Sequence, residues 1–201
     1  MDTLSLESGR KYSSLLAAFI RRVHQITFPK YGYLNNGNPD YPDFYGFLID
    51  DVKTHAERLL QKHLITDDKL NRIITVFTST FGNTAYGACL CHGDLSLRNV
   101  IIDGDRLVLI DYDDAMAFPA YSDIARLTFD IRVYEHSDQW RESFLRTYFD
   151  DQTQIRQFEK FERIYHIYCA IDWMDFAIKM NYDYDELNEY LTELIDNCAR
   201  E

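Results

Sequence analysis

The stretch "CLCHGDLSLRNVIIDGDRLVLIDYDDA", residues 89–115, constrains the fold more than any other part of the chain. Two apolar runs, NVII and RLVLI, are joined through Asp103-Gly104-Asp105, and a glycine between two aspartates is strong turn chemistry. The segment therefore folds back as a β-hairpin. If Asp103 pairs near Arg106, Asn99 falls opposite Ile110, next to Asp111. His92, Gly93 and Asp94 stand just before the first strand, at the same open end. An amide oxygen and two carboxylates then converge on one spot. Hard oxygen ligands of this kind suit Mg²⁺, which keeps several waters and takes other ligands from substrate phosphates. Asp103 and Asp105, at the closed end, only make the turn.

Around this hairpin the pattern is helical. Apolar residues at 15, 16, 19, 20, 23 and 26 have helical spacing, and segments 44–64 and 67–81 read as two further helices. Residues 86–92 form a short buried strand that runs into the motif. After it, segments 120–134, 139–149, 158–180 and 184–199 all read as helices. Segment 28–43 holds three of the four prolines with several Gly and Asn, and reads as a long loop with turns. The fold class is α+β, mainly helical, around one small β element. Residues 1–201 are expected to form a single domain, with the hairpin motif at 89–115 and a helical region at 120–200.

The four cysteines, Cys89, Cys91, Cys169 and Cys198, are too few and too scattered for a disulfide scaffold, so a reducing cytoplasm is the expected location. Cys89 and Cys91 share one face of a strand and read as buried thiols, since no further zinc ligands stand at suitable spacing. No apolar run approaches the roughly 20 residues of a membrane span. The charge is uneven. Residues 1–102 carry 11 Lys/Arg against 10 Asp/Glu, and residues 103–201 carry 10 against 23. An acidic half argues against nucleic-acid binding and suits a cationic small-molecule partner.

The spacing His92-Gly93-Asp94-x4-Asn99, followed after the hairpin by Ile110-Asp111, resembles the core of the aminoglycoside phosphotransferase and choline kinase group. These are relatives of the protein kinases, whose pattern is H-R-D-x4-N and then D-F-G. The continuation "FPAYSDIARL" also resembles the group. The resemblance implies a protein-kinase-like C-terminal lobe that uses ATP as co-substrate and Mg²⁺. It implies that Asp94 orients the substrate hydroxyl or takes its proton, and that Asn99 and Asp111 bind Mg²⁺. His92 would brace the catalytic loop. Asp113 and Asp114 occupy the place of a further acidic residue, and Asp123 would cap its helix or pin it near the loop.

Such kinases also have an N-terminal lobe with a phosphate-covering loop and a strand lysine. No G-x-G occurs here, and "GYLNNGNP" has P-loop spacing without the Lys-Ser/Thr that should follow. The upper lobe is expected to be absent from these residues. The chain is then a fragment, half of a split enzyme with the lobe on another chain, or a stand-alone module. A lobe surface left open could also drive self-association. The leading expectation is a small-molecule kinase. The alternatives are a non-catalytic pseudo-kinase or interaction module, and a metal-dependent phosphohydrolase.

On the substrate side, Phe158, Phe161, Tyr165, Tyr168, Asp172 and Asp175 are spaced three or four apart and share one helix face, with Trp173 at its edge. Carboxylates beside aromatic rings suit an ammonium group. Tyr168, Asp172, Asp175 and Trp173 are therefore candidates for binding a cationic acceptor such as an aminoglycoside or aminoalcohol. The same residues can instead be core, with the carboxylates paired to Arg163, Lys179 or another cation.

Overall fold

A computed structural model describes residues 6–34, 39–104, 106–135 and 138–198. Its elements group into two compact units, Met1–Asp40 with Gly87–Lys160, and Tyr41–Tyr86 with Phe161–Glu201. Among the described residues no helix is long and apolar enough to cross a membrane.

The first unit is built on a four-stranded antiparallel sheet. Its strands are β1 (Thr27–Phe28), β2 (Gly32–Tyr33), β3 (Ala88–Cys91) and β6 (Met116–Pro119), in the order β1-β3-β6-β2. Strands β3 and β6 pair from Ala88↔Pro119 to Cys91↔Met116, and every residue of β6 is buried. Helices α1 (Leu6–Val23), α4 (Ala120–Asp130) and α5 (Asp138–Tyr148) belong to the same unit, with the start of α6 (Gln152–Met180). A π-helical turn, Ile131–Glu135, continues α4. Leu16, Ile20, Phe118, Phe129, Phe144 and Phe158 fill the core of this unit. The hairpin is separate from the sheet. Strands β4 (Val100–Asp103) and β5 (Arg106–Leu109) pair from Val100↔Leu109 to Asp103↔Arg106, the register the turn predicts, although Asp105 itself lies outside the described residues.

The second unit packs α2 (Phe44–Gln61), α3 (Asp67–Phe81), the remainder of α6 and α7 (Asp185–Cys198). Helix starts are capped as their sequences require. Asp43 accepts from the Gly46 N–H at 2.7 Å and Thr66 from that of Lys69 at 3.2 Å, each satisfying an amide that the first turn leaves open. The core is aromatic, with ring centroids of Phe81 and Phe161 5.0 Å apart and those of Phe161 and Tyr165 5.1 Å apart.

The mainly helical reading holds, and the expectation of one small β element does not. The short strands β1 and β2 lie in the segment read as a loop, whose residues 35–38 are outside the described part. Strand β6 was not expected either. Two-residue strands and a four-residue apolar strand ending in proline carry too little periodicity to declare themselves. The aromatic stripe on α6 is core: Phe158, Phe161, Tyr165 and Tyr168 are all buried.

One contact in the first unit depends on the lack of a side chain. A Cβ on Gly9 of α1 would enter the indole ring of Trp140 on α5. Alanine is the better helix former by about 1 kcal/mol, but overpacking of this kind costs about 1–3 kcal/mol. We expect Gly9→Ala to lower stability in urea unfolding, against its helix propensity. An unchanged or raised midpoint would contradict this packing.

Candidate active site

The loop after β3 is held by one carboxylate. Asp123, in the first turn of α4, is 1% exposed. It accepts from the backbone N–H of His92 at 2.7 Å and of Gly93 at 3.0 Å. His24, at the end of α1, donates Nε2–H to it at 3.2 Å, and the Tyr148 hydroxyl lies 2.7 Å from His24 Nδ1. Three N–H donors answer a charge that would otherwise be costly to bury. Asp123 thus pins the loop backbone, and it does not cap α4, whose N-cap is Pro119.

His92 is fully buried and donates Nε2–H to the Ile110 carbonyl at 2.8 Å, while Nδ1 has no polar partner. Its ring lies 4.5 Å from that of Tyr112. The side chain ties the loop to the end of β5 and has no access to a substrate. Gly93 has φ +86°, and a Cβ there would collide with the Asp114 carbonyl, so only glycine lets the loop after β3 lie so close to the turn before β6.

This leaves Asp94 half-buried at the open end of the hairpin. The Asn99 amide nitrogen donates to the Asp94 carbonyl at 2.9 Å and to its Oδ2 at 3.2 Å. Asn99 therefore turns its amide oxygen away from the carboxylate. The Ile110 N–H donates to the Asn99 carbonyl at 2.9 Å, which sets Asp111 one residue beyond this bridge. Asp111 is exposed and has φ +66°, a left-handed conformation uncommon outside glycine and tolerated by Asp. Asp94, Asn99 and Asp111 thus meet at one end of the hairpin. The oxygen donor set of Asn99 and Asp111 fits Mg²⁺. Asp113 and Asp114 are exposed in the following turn.

Arg126 was not singled out from the sequence. It lies three residues after Asp123 on α4, and its Nε stands 3.7 Å from Asp94 Oδ1. Arg98, in the loop itself, pairs with buried Asp130 at 3.1 Å and covers the Tyr134 ring at 4.9 Å. An arginine one turn from a pinning aspartate was the available signal, but its direction depends on how α4 docks.

The model of the phosphotransferase enzyme family matches residues 3–158. The chain belongs to this family. Among solved structures it is similar to the aminoglycoside phosphotransferase APH(4)-Ia, with TM-score 0.73 and 15% identity over 98% of this chain and 66% of that one. It is similar to a putative fructosamine-3-kinase from Haemophilus somnus, with TM-score 0.71 and 15% identity over 98% and 65%. It is also similar to an ethanolamine kinase from Plasmodium vivax, with TM-score 0.67 and 20% identity over 98% and 62%. The chain spans about two thirds of the length of these structures. They share its kinase-like fold.

In the second unit, the candidate acceptor residues lie in an ion-pair cluster. Tyr168 donates its hydroxyl to Asp51 at 2.7 Å. Asp175 is buried and bonds Arg58, Lys179 at 2.6 Å and His55 Nδ1 at 2.9 Å. His55 Nε2 lies 3.4 Å from Asp51 and 3.5 Å from Asp172. Asp172 is half-buried, and Trp173 packs edge-on against Phe176 at 5.6 Å. The structure thus brings Tyr168, Asp172 and Asp175 together and adds Asp51, His55 and Arg58. The spacing of Asp51 and His55 on α2, four residues apart, was the missed signal.

Burial alone would lower the pKa of His55, but Asp51, Asp172 and Asp175 outweigh it and raise it from 6.5 to about 9. Carboxylates at both ring nitrogens favour the imidazolium. A raised folded-state value stabilises the fold fully below the unfolded value, and the gain is lost as pH rises through about 9. The His55 contribution, about 2–3 kcal/mol, should therefore fade between pH 6.5 and 9. Unfolding measured across this range should show a smaller fall with pH in His55→Gln than in the parent. Parallel profiles would mean that the ring is not charged.

Proposed function

We propose that the chain carries the catalytic centre of a small-molecule kinase, which moves the terminal phosphate of ATP to a hydroxyl. The observation that carries this reading is the junction of Asp94, Asn99 and Asp111 at one end of the hairpin, through the Asn99–Asp94 and Ile110–Asn99 hydrogen bonds. Phosphoryl transfer asks little of a protein beyond position and charge. Three oxygen-bearing side chains on a braced loop meet that need.

The roles follow from the surroundings of each group. Asp94 takes the proton of the acceptor hydroxyl as its oxygen bonds the phosphorus and the bond to the ADP oxygen breaks. Asn99 holds the Asp94 carboxylate by its amide N–H. Arg126, on the other carboxylate oxygen, keeps Asp94 aimed and balances its charge. His92 keeps the loop against β5. Asn99 Oδ1 and the Asp111 carboxylate would hold Mg²⁺, which when bound neutralises phosphate charge.

The hairpin face that carries Asn99 supports a nucleotide there. Antiparallel register places Ile101, Val108 and Ile110 on that face, and all three are exposed. A flat apolar surface beside oxygen ligands suits a nucleotide base whose phosphates point to Asn99 and Asp111. For the acceptor, the half-buried Asp172 and Trp173 are the accessible members of the cluster in the second unit, with Tyr168 and Asp175 supporting them from within. A cationic aminoalcohol or amino sugar is the acceptor class we propose.

Calorimetric titration of the 201-residue chain with ATP tests this reading. We expect heat that requires Mg²⁺ and falls at least tenfold in affinity in Asp111→Asn. In phosphate-transfer assays with an acceptor panel, Asp94→Ala should abolish turnover and leave the circular dichroism spectrum intact. Nucleotide binding unchanged by Asp111→Asn would overturn the metal assignment, and turnover that survived Asp94→Ala would remove Asp94 as the base.

A further inference from the structure

The side chains behind the catalytic loop form a second cluster that the proposed chemistry does not use. Cys89 and Cys91 project from the same face of β3, and their sulfurs are 3.9 Å apart. A ring nitrogen of His24, from the end of α1, completes a set of three ligand atoms that all lie within 4.8 Å of one another. All three residues are buried, Cys91 completely. We propose that Cys89, Cys91 and His24 form a binding site for a soft divalent cation of the zinc class. The inference does not rest on phosphoryl transfer.

The geometry fits such an ion. Two thiolates about 2.3 Å from a tetrahedral zinc stand about 3.8 Å apart, and the sulfurs here already have that separation. An imidazole that binds a metal usually passes its other ring N–H to a carboxylate or similar acceptor, which fixes its orientation. His24 has such an acceptor on each side, the Tyr148 hydroxyl and the Asp123 carboxylate. Whichever nitrogen binds the ion, the other keeps a partner, and the displaced group stands ready as a fourth ligand. Soft sulfur donors in a closed pocket select zinc-like ions over Mg²⁺.

Without an ion the pair is held as neutral thiols. Burial, and then the adjacent Cys89, push the Cys91 thiol well above its ordinary range. The sulfurs donate weakly to the carbonyls of Phe118 at 3.4 and 3.5 Å and of Pro119 at 3.5 Å. Binding replaces the two thiol protons with one divalent cation and releases both protons to solvent, with no change in oxidation state. The product, two thiolates with one M²⁺, is neutral and therefore suits a dry pocket. Because the pocket is closed, the ion enters as the chain folds. With Nδ1 on the ion, Nε2–H would keep its bond to the Asp123 carboxylate that holds His92 and Gly93.

The test is refolding of the full chain from denaturant, under reducing conditions, with Co²⁺ as the spectroscopic probe. A thiolate-to-cobalt charge-transfer band that saturates at one equivalent, and is bleached by Zn²⁺, is the expected result. The band should vanish in the Cys89→Ser/Cys91→Ser double variant. It should persist in Cys198→Ser and in Asp111→Asn, which separates this site from the Mg²⁺ site proposed above. No band in the parent, or an equal band in the double variant, would overturn the proposal. X-ray absorption of the zinc-loaded parent avoids any question of variant folding. Two sulfur neighbours at about 2.3 Å and nitrogen at about 2.0 Å would support the site, and a shell of light atoms alone would overturn it.

Discussion

One buried carboxylate organises the first unit. Asp123 cannot be left without donors at 1% exposure, and its three N–H partners come from two distant parts of the chain. The end of α1, the loop after β3 and the first turn of α4 are thereby brought to one point. Removing one partner of such a buried charge typically costs about 3–5 kcal/mol, because the charge itself remains. The direction of Asp94 depends on this point in turn. It follows Gly93, whose left-handed backbone is pinned on one side by Asp123 and packed on the other against the Asp114 carbonyl. The candidate base is therefore positioned mainly by groups that never touch a substrate.

The second unit buries charge by a different rule. Asp175 is answered by cations, whereas Asp123 is answered by fixed N–H groups and a buried histidine. Two of those cations, Arg58 and Lys179, keep 38% and 47% of their side chains exposed. Half-wet pairs of this kind are screened and worth less than their short distances suggest. Three carboxylates, Asp51, Asp172 and Asp175, face three cations, so the cluster is close to neutral. An incoming ammonium group must compete with His55⁺ for Asp51 and Asp172, and has little to gain from Asp175. On the acceptor role proposed above, selectivity for a cation there would come from displacing or sharing His55.

The hairpin was legible because two signals agree. Asp-Gly turn chemistry and a period of two both point to Asp103 opposite Arg106, and the rest of the register follows from that pair. Helix α3 was legible for similar reasons, with a threonine cap, two aspartates in its first turn and apolar spacing through Phe81. Strand β6 was not, because four apolar residues before a helix look like the helix's own approach. The pairing of Arg126 with Asp94 and the approach of His24 to Cys89 and Cys91 were hidden for another reason. They join residues 32 and more than 60 positions apart, and only the docking of α4 and α1 on the sheet brings them together. On α6, the period alone could not separate a pocket from a core, since a stripe of Phe and Tyr satisfies either until its neighbours are known.

Strand β3 links two kinds of ligand chemistry that a protein must keep apart. Its face toward His24 carries sulfur among buried residues, where a hard ion such as Mg²⁺ would lose more hydration than two thiols could replace. One residue beyond its end the chain becomes the loop that leads to Asp94 and Asn99, where the donors are oxygens open to solvent. Were both proposed sites filled, sorting by hardness and by exposure would coincide, and neither would compete for the other's ion. The two remain mechanically joined, because His92 follows Cys91 directly and its N–H is bound to the same Asp123 oxygen that His24 approaches. A shift of His24 toward the sulfurs draws on that shared oxygen and must be felt at the His92 amide. The loop after β3 is held where both donors of that oxygen stay in place, and an ion on the proposed sulfur site would fix the donor that belongs to α1.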